Sequence, residues 1–149
     1  MKEFIWPIRV YYEDTDSGGV VYHSNYLNFM ERARTEWLRA MQLEQDNILN
    51  DYDILFVVHS LSINYLKPAL FNDALQVKTT IQRLSKASII FEQLIVRDNN
   101  DSGDADILSK GVVKIVSLSA LKKRPVPLPE SIYKQFLSDT ISFDNTRIQ

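Results

Sequence analysis

The sequence predicts an α+β fold in which one long helix covers one face of an antiparallel sheet. Three observations predict it. Apolar residues recur at three- and four-residue steps from Tyr26 through Phe29, Met30, Ala33, Trp37 and Ala40 to Met41, which is a single helical stripe. A β-rich segment precedes that stripe, and four more follow it. The later segments are joined mostly by short polar turns, as in antiparallel hairpins.

Each element follows in order. Residues 4–12 are rich in aromatic and β-branched side chains and read as a strand. A polar loop covers 13–24, and Ser24 or Asn25 is the expected N-cap. The stripe from Tyr26 to Met41 makes a helix of about five turns. Glu31 with Arg34, and Arg32 with Glu36, are spaced to pair on its exposed side. A polar connection runs to Asp53. Leu61, Ile63 and Tyr65 then alternate with Ser60, Ser62 and Asn64, as a half-buried strand does, and Pro68 ends it. Phe71-Asn72-Asp73 is a turn. Residues 75–82 alternate again, and a tight turn at Ser85-Lys86 leads into 88–97, apolar on both faces as in a central strand. An acidic hairpin loop spans 98–106, the last long strand 107–118, a basic, proline-bearing connector 122–129 and a short helix 130–137. With no repeat and no second domain, residues 1–149 form one domain. One helix leaves the other face and the edges of the sheet partly uncovered, which favours a dimer.

The bulk numbers narrow the function. A chain of 149 residues, 45% of them hydrophobic, buries a substantial core without disulfides or metals. A net charge of −2 argues against a nucleic-acid partner or a polybasic membrane anchor. No run approaches the ~20 apolar residues of a membrane helix. The N-terminal apolar run is too short for a signal peptide, so a cytoplasmic protein is expected. With no cysteine, thiolate nucleophiles and cysteine-ligated zinc are excluded. Only two histidines are present, neither at metal-ligand spacing, so no zinc site is expected. His59, alone on a strand, reads as a packed or interface histidine.

The chemistry concentrates between the first strand and the helix. Asp14, Asp16, Gly18 and Gly19 lie just before the helix start. A carboxylate supplies a base or a nucleophile, and a helix start supplies unpaired N–H donors and the positive end of a dipole. Attack on a carbonyl, with charge building on its oxygen, needs both. A calcium loop starting at Asp14 fails: its fifth position is Gly18 and its twelfth is Asn25, where Asp/Asn and Glu belong. The sequence has no Gly-x-Ser-x-Gly elbow and no P-loop.

The run Tyr-x-Asp-Thr-Asp-x-x-Gly-Val-Val-Tyr-His-x-Asn-Tyr, from Tyr12 to Tyr26, resembles the YbgC-type branch of the 4-hydroxybenzoyl-CoA thioesterase family. Glu31-Arg32-Ala33-Arg34 and Trp37-Leu38 resemble the same branch, and element order agrees to about Leu121. The resemblance implies a hot-dog fold, a five-stranded antiparallel sheet wrapped around one long helix. It implies acyl-CoA thioester hydrolysis without metal or cofactor, by a homodimer whose sheets join, often paired again into a homotetramer. An acyl carrier protein or the Tol–Pal envelope system is its further context. Asp16 matches the catalytic carboxylate, acting as nucleophile or as general base. The backbone N–H of His23 matches the oxyanion donor, and the His23 ring is available to orient water or protonate the thiolate. Gly18 and Gly19 supply backbone freedom, while Tyr22, Asn25 and Tyr26 support the loop and helix entry. Arg83, Lys86, Lys122, Lys123 and Arg124 are candidates for the phosphates of CoA, contributed in such dimers by the partner chain. Two other functions use the same residues: a hot-dog hydratase or dehydratase pairing Asp16 with His23, and a weakly active module binding acyl-CoA or acyl carrier protein.

Overall fold

The computed structural model of the protein describes residues 2–98 and 105–148, with side chains as far as Thr140. Five main strands lie in the order β1-β3-β4-β5-β2, all neighbours antiparallel. They are β1 (Phe4–Arg9), β2 (Ile54–Tyr65), β3 (Ala74–Leu84), β4 (Ser88–Asp98) and β5 (Ala105–Ser119). A sixth, β6 (Arg124–Pro125), adds two residues to β5, where a connector was expected. The helix α1 (His23–Ala40) lies on the concave face and buries Tyr26, Phe29, Met30, Ala33 and Trp37 of the predicted stripe together with Leu38, whereas Ala40 at the end of the stripe is exposed and Met41 is the half-buried cap beyond the helix. This is the expected hot-dog architecture.

Several local expectations are corrected. Residues 4–12 are not one strand: β1 stops at Arg9, and Tyr12–Asp14 form a single 3-10 turn. The polar connection before Asp53 contains a helix, α2 (Gln45–Tyr52), anchored by buried Ile48. Its cap is Asp53 in the left-handed conformation (φ 59°), whose carboxylate accepts from Ser119 Oγ and the Leu121 N–H. The C-terminal helix α3 (Glu130–Ile148) has 19 residues and outruns the expected 130–137. β4 is the middle strand, as expected. Only one of its faces is fully buried, however, and Ile90 and Leu94 are half-buried on the other. Most of the acidic loop at 98–106 lies outside the described residues.

The helix charges also differ from expectation. Arg34 does not pair with Glu31 on the exposed side. It turns toward the sheet, where its Nη1 donates to Gln93 Oε1 at 2.8 Å. Arg39 bonds Glu36 and Glu44 instead. His59 is exposed and sits at a β-bulge, opposite no residue of β5.

The core has two parts along α1. Toward its start, Tyr26, Phe29, Met30 and Ala33 pack on Val77, Ile95 and Leu108. Toward its end, Trp37 meets Phe91 edge-on at 5.1 Å and Phe136 of α3 at 4.9 Å between ring centroids. Aromatic pairs of this geometry add about 0.5–1.5 kcal/mol beyond area burial.

Candidate functional site

Three segments meet at the start of α1: the stretch from Tyr12 to Tyr22, the helix entry itself, and the connector between β2 and β3. The first folds back as a tight hairpin. Thr15 bridges Val21, the Asp16 N–H donates to Val20 O at 2.9 Å, and the Gly19 N–H donates to Asp16 O at 3.1 Å. Gly19 has φ +81°, a conformation that favours glycine. Gly18 has no positive φ. An added Cβ there would lie 3.2 Å from Asp16 Oδ1, so its smallness admits the carboxylate.

Asp16 sits exposed at this hairpin. Its Oδ1 accepts the Gly18 N–H at 2.8 Å, a local Asx turn that holds the side chain over the loop. Its other oxygen has no hydrogen-bond partner among the described residues.

The helix starts at His23, two or three residues earlier than a Ser24 or Asn25 cap implies. Tyr22 takes the cap position with no side-chain hydrogen bond. The tie is tertiary: Asp14 O accepts both the Tyr22 N–H and Asn25 Nδ2, each at 2.9 Å. Asn25 thus serves as a clamp between loop and helix. The first N–H groups of a helix have no partner within it. Those of His23 and Ser24 find no acceptor among the described residues. They open at the positive end of an 18-residue helix, where developing negative charge is stabilised.

The connector closes the other side. Val20 bridges Leu70, and the Val21 N–H donates to Ala69 O at 2.9 Å. The Ala69 N–H donates to the buried hydroxyl oxygen of Tyr26, also at 2.9 Å. Burial raises the Tyr26 pKa above its ordinary value, so the phenol stays neutral. Asp73 Oδ2 accepts the Leu70 N–H at 2.9 Å and Arg97 Nη1 at 2.7 Å. That ionic hydrogen bond raises the Arg97 pKa.

A cleft of about 290 Å³ opens beside the helix entry, lined by Val21, His23, Tyr26, Tyr65, Lys67 and neighbours. Asp16 is not among its lining residues. Within the cleft the Tyr65 hydroxyl donates to His23 O at 3.1 Å, and the Tyr22 and His23 rings lie 4.4 Å apart. The sequence read Tyr65 only as a strand residue and Asp73 only as a turn residue, and Lys67 and Arg97 were not singled out. The signal for Lys67 was its place beside Pro68, at the strand end facing the loop.

The basic candidates are not brought to this place. Arg83, Lys86, Lys122, Lys123 and Arg124 are all exposed at the other end of the sheet. Arg124 pairs with Ser119, and the Leu128 N–H donates to Lys86 O. The cleft end of β5 is Leu108, whose carbonyl accepts the Leu66 and Lys67 N–H groups. Positions 108 and 119 stand about 35 Å apart along a strand. No group of three or more potential metal ligands occurs among the described residues.

The comparisons agree with this architecture. The family model of the Thioesterase superfamily matches residues 18–103. The acyl-CoA thioesterase YbgC of Haemophilus influenzae is 42% identical over 89% of this chain and 93% of its own length. The acyl-CoA thioester hydrolase YbgC of an Escherichia coli strain is 41% identical over 89% and 95%. A probable thioesterase from Bartonella henselae superposes with a TM-score of 0.77 at 33% identity, covering 85% of this chain and 99% of that one. The chain belongs to the thioesterase superfamily, in its YbgC-type branch.

Proposed function

We propose that the protein hydrolyses acyl-CoA thioesters at the start of α1, converting acyl-CoA and water into a carboxylic acid and CoA. The observation that carries the reading is the pair of N–H groups at His23 and Ser24 that find no acceptor among the described residues, at a helix entry tied to the Asp16 hairpin through the Tyr22 N–H bond to Asp14 O and the Thr15–Val21 bridge. The thioester carbonyl oxygen lies against the His23 N–H. Asp16 takes a proton from water as the water adds to the carbonyl carbon, or adds to that carbon itself and forms an anhydride that water then opens. Negative charge collects on the oxygen facing the helix start, and its collapse breaks the C–S bond and expels the CoA thiolate. Donors in such positions contribute roughly 2.7–4 kcal/mol to other enzymes.

The catalytic unit we propose is a homodimer joined through β2. The two sheet edges differ. β1 has six residues and carries Pro7, which blunts an edge. β2 has twelve residues and no proline, and among the described residues it is paired only on its β5 side. Val58 is 54% exposed and Leu61 41% exposed along it. A two-fold pairing of β2 would bring the partner's basic residues nearer the helix entry, which is how Arg83, Lys86, Lys122, Lys123 or Arg124 would meet CoA phosphates. Assembly into a cytoplasmic homotetramer, and service to acyl carrier protein or the Tol–Pal system, are what family resemblance adds. No helix among the described residues is long and apolar enough to cross a membrane.

Thiol release from acyl-CoAs of graded length, by wild type and Asp16→Asn, tests the reading. Loss of turnover with unchanged far-UV circular dichroism is expected. Wild-type turnover in the variant would refute the role of Asp16. Addition of water to enoyl-CoA without thiol release would replace hydrolysis with the lyase reaction.

A further inference from the structure

The two donor peptides at the start of α1 are held from behind in different ways. A trans peptide points its N–H and its C=O in opposite directions. Whatever grips the carbonyl therefore fixes the donor on the far side. The His23 N–H belongs to the peptide whose carbonyl oxygen is Tyr22 O, and that oxygen accepts the Asn25 N–H at 2.9 Å, a bond local to the helix entry. The Ser24 N–H belongs to the peptide whose carbonyl oxygen is His23 O. That oxygen accepts the Tyr65 hydroxyl at 3.1 Å, from the end of β2 and 42 residues away in the chain. A carbonyl oxygen has two lone pairs, and the ladder of an α-helix uses one of them. Tyr65 occupies the other.

The phenol is placed for this by its ring. Tyr65 stands opposite buried Ser109 of β5, on the face of the sheet that looks toward α1. Its ring meets Tyr26 at 5.3 Å and His23 at 6.3 Å between centroids, both nearly edge-on. Tyr26 is itself buried and fixed through the Ala69 N–H. Ring packing thus sets where the side chain stands, and the hydroxyl completes the contact. A phenol has one proton to donate, and here it goes to His23 O. A proton engaged there does not serve a leaving group, which makes Tyr65 a positioning residue and not an acid.

Two effects reach the donor. The tie restrains the peptide plane, and a donor already in place needs no reorganisation when charge develops in front of it. A hydrogen bond received by the carbonyl also polarises the amide and strengthens its N–H, by about 10–30% per bond in condensed phases. Tyr65 is 46% exposed, at the edge of the cleft, so the strengthening is modest.

We infer that Tyr65 is a positioning residue for the oxyanion site: it holds and polarises the His23–Ser24 peptide, so that the Ser24 N–H acts as a second donor beside the His23 N–H. This role rests on the hydrolase reading, since a thioester carbonyl must meet the helix entry for the second donor to act on it. Tyr65 belongs to neither the hairpin nor the helix. It couples the end of β2 to the reacting oxygen through one peptide.

The test uses Tyr65→Phe, which removes the hydroxyl and keeps the ring packing. The first readout needs no substrate. In the full-length protein labelled with heavy nitrogen on serine only, the Ser24 amide is identified by its absence from Ser24→Ala. Its nitrogen resonance is expected to move upfield in Tyr65→Phe, because the amide loses polarisation when its carbonyl loses a donor. The second readout is steady-state thiol release from acyl-CoAs of graded length. A fall in kcat of about three- to tenfold is expected, the equivalent of one neutral hydrogen bond. An interaction made only in the transition state lowers kcat and kcat/KM equally, so KM should stay within about twofold of wild type. An unmoved Ser24 resonance, a wild-type kcat, or a loss confined to KM would overturn the inference. If wild type released no thiol from any acyl-CoA while the Ser24 resonance still moved, the hydrolase reading would fail and the oxyanion role with it, with the Tyr65 contact intact. Failure of that reading is therefore distinguishable from failure of the role of Tyr65 alone.

Discussion

The two ends of α1 are held by different forces. At its start, the hairpin, the helix entry and the connector are tied by hydrogen bonds: Asp14 O to Tyr22 and Asn25, Ala69 to Val21 and Tyr26, Asp73 to Leu70 and Arg97. At its end, Trp37, Phe91 and Phe136 pack ring against ring. Hydrogen bonds are directional and leave chosen donors unspent, as at His23. Apolar packing is non-directional and stabilises by excluding water. The first kind of construction can position a reacting group, whereas the second sets how much stress the fold withstands.

This contrast can be broken by substitution. Asp16→Asn should give the largest effect on turnover, a fall in kcat of roughly 10²–10⁴-fold, with little change in melting temperature, since Asp16 is exposed. Phe136→Ala should do the reverse. Its ring is fully buried against Trp37 and Phe56, and its loss should cost about 3–5 kcal/mol and lower the melting temperature by about 10 °C. Protein that remains folded should keep a kcat near wild type in a thiol-release assay. If Phe136→Ala matched Asp16→Asn in lost turnover without lost stability, the division between the two ends would fail.

Asp73→Asn sharpens the comparison, because it strikes a hydrogen-bonded anchor and not the proposed catalytic carboxylate. Leu70 and Arg97 share its Oδ2, and Leu70 backs Val20 in the hairpin. A loss of about 1–3 kcal/mol in stability is expected from a weakened charged hydrogen bond, with a kcat fall smaller than that of Asp16→Asn. Denaturant titration and steady-state kinetics on one preparation measure both. His23→Ala should have the smallest effect on kcat, less than about tenfold by the 1.4 kcal/mol rule, because its backbone N–H survives the change. A loss equal to that of Asp16→Asn would bring the ring into the chemistry.

Much of this was legible from residue patterns. The stripe from Tyr26 to Trp37 marked the core face of α1, since 3.6-residue periodicity is a local record of which side faces the sheet. The alternation in residues 75–82 likewise marked β3. The paired carboxylates and glycines before the helix marked the loop, though not its fold as a hairpin. The failures have a common cause. α2 carries one buried apolar residue, Ile48, too few for a visible period. The cap at Tyr22 is secured by a carbonyl eight residues earlier and not by its own side chain. Arg34 looked like half of a helix-surface ion pair, and Gln93 followed Glu92 in a run read from Ile89, Ile90 and Phe91 as apolar on both faces. Their meeting joins residues 59 positions apart.

By itself, then, the sequence determined the elements with a strong period, their order, and the chemical class of the loop between β1 and α1, because periodicity and residue type are properties of neighbours in the chain. The tertiary structure alone decided which end of the sheet carries the cleft, that the basic residues near Ser119 lie far from it in one protomer, and that Tyr65 at the end of β2 reaches the first carbonyl of α1. Those outcomes depend on which strands pair and how the sheet curls about the helix, and such long-range contacts leave no mark in local spacing.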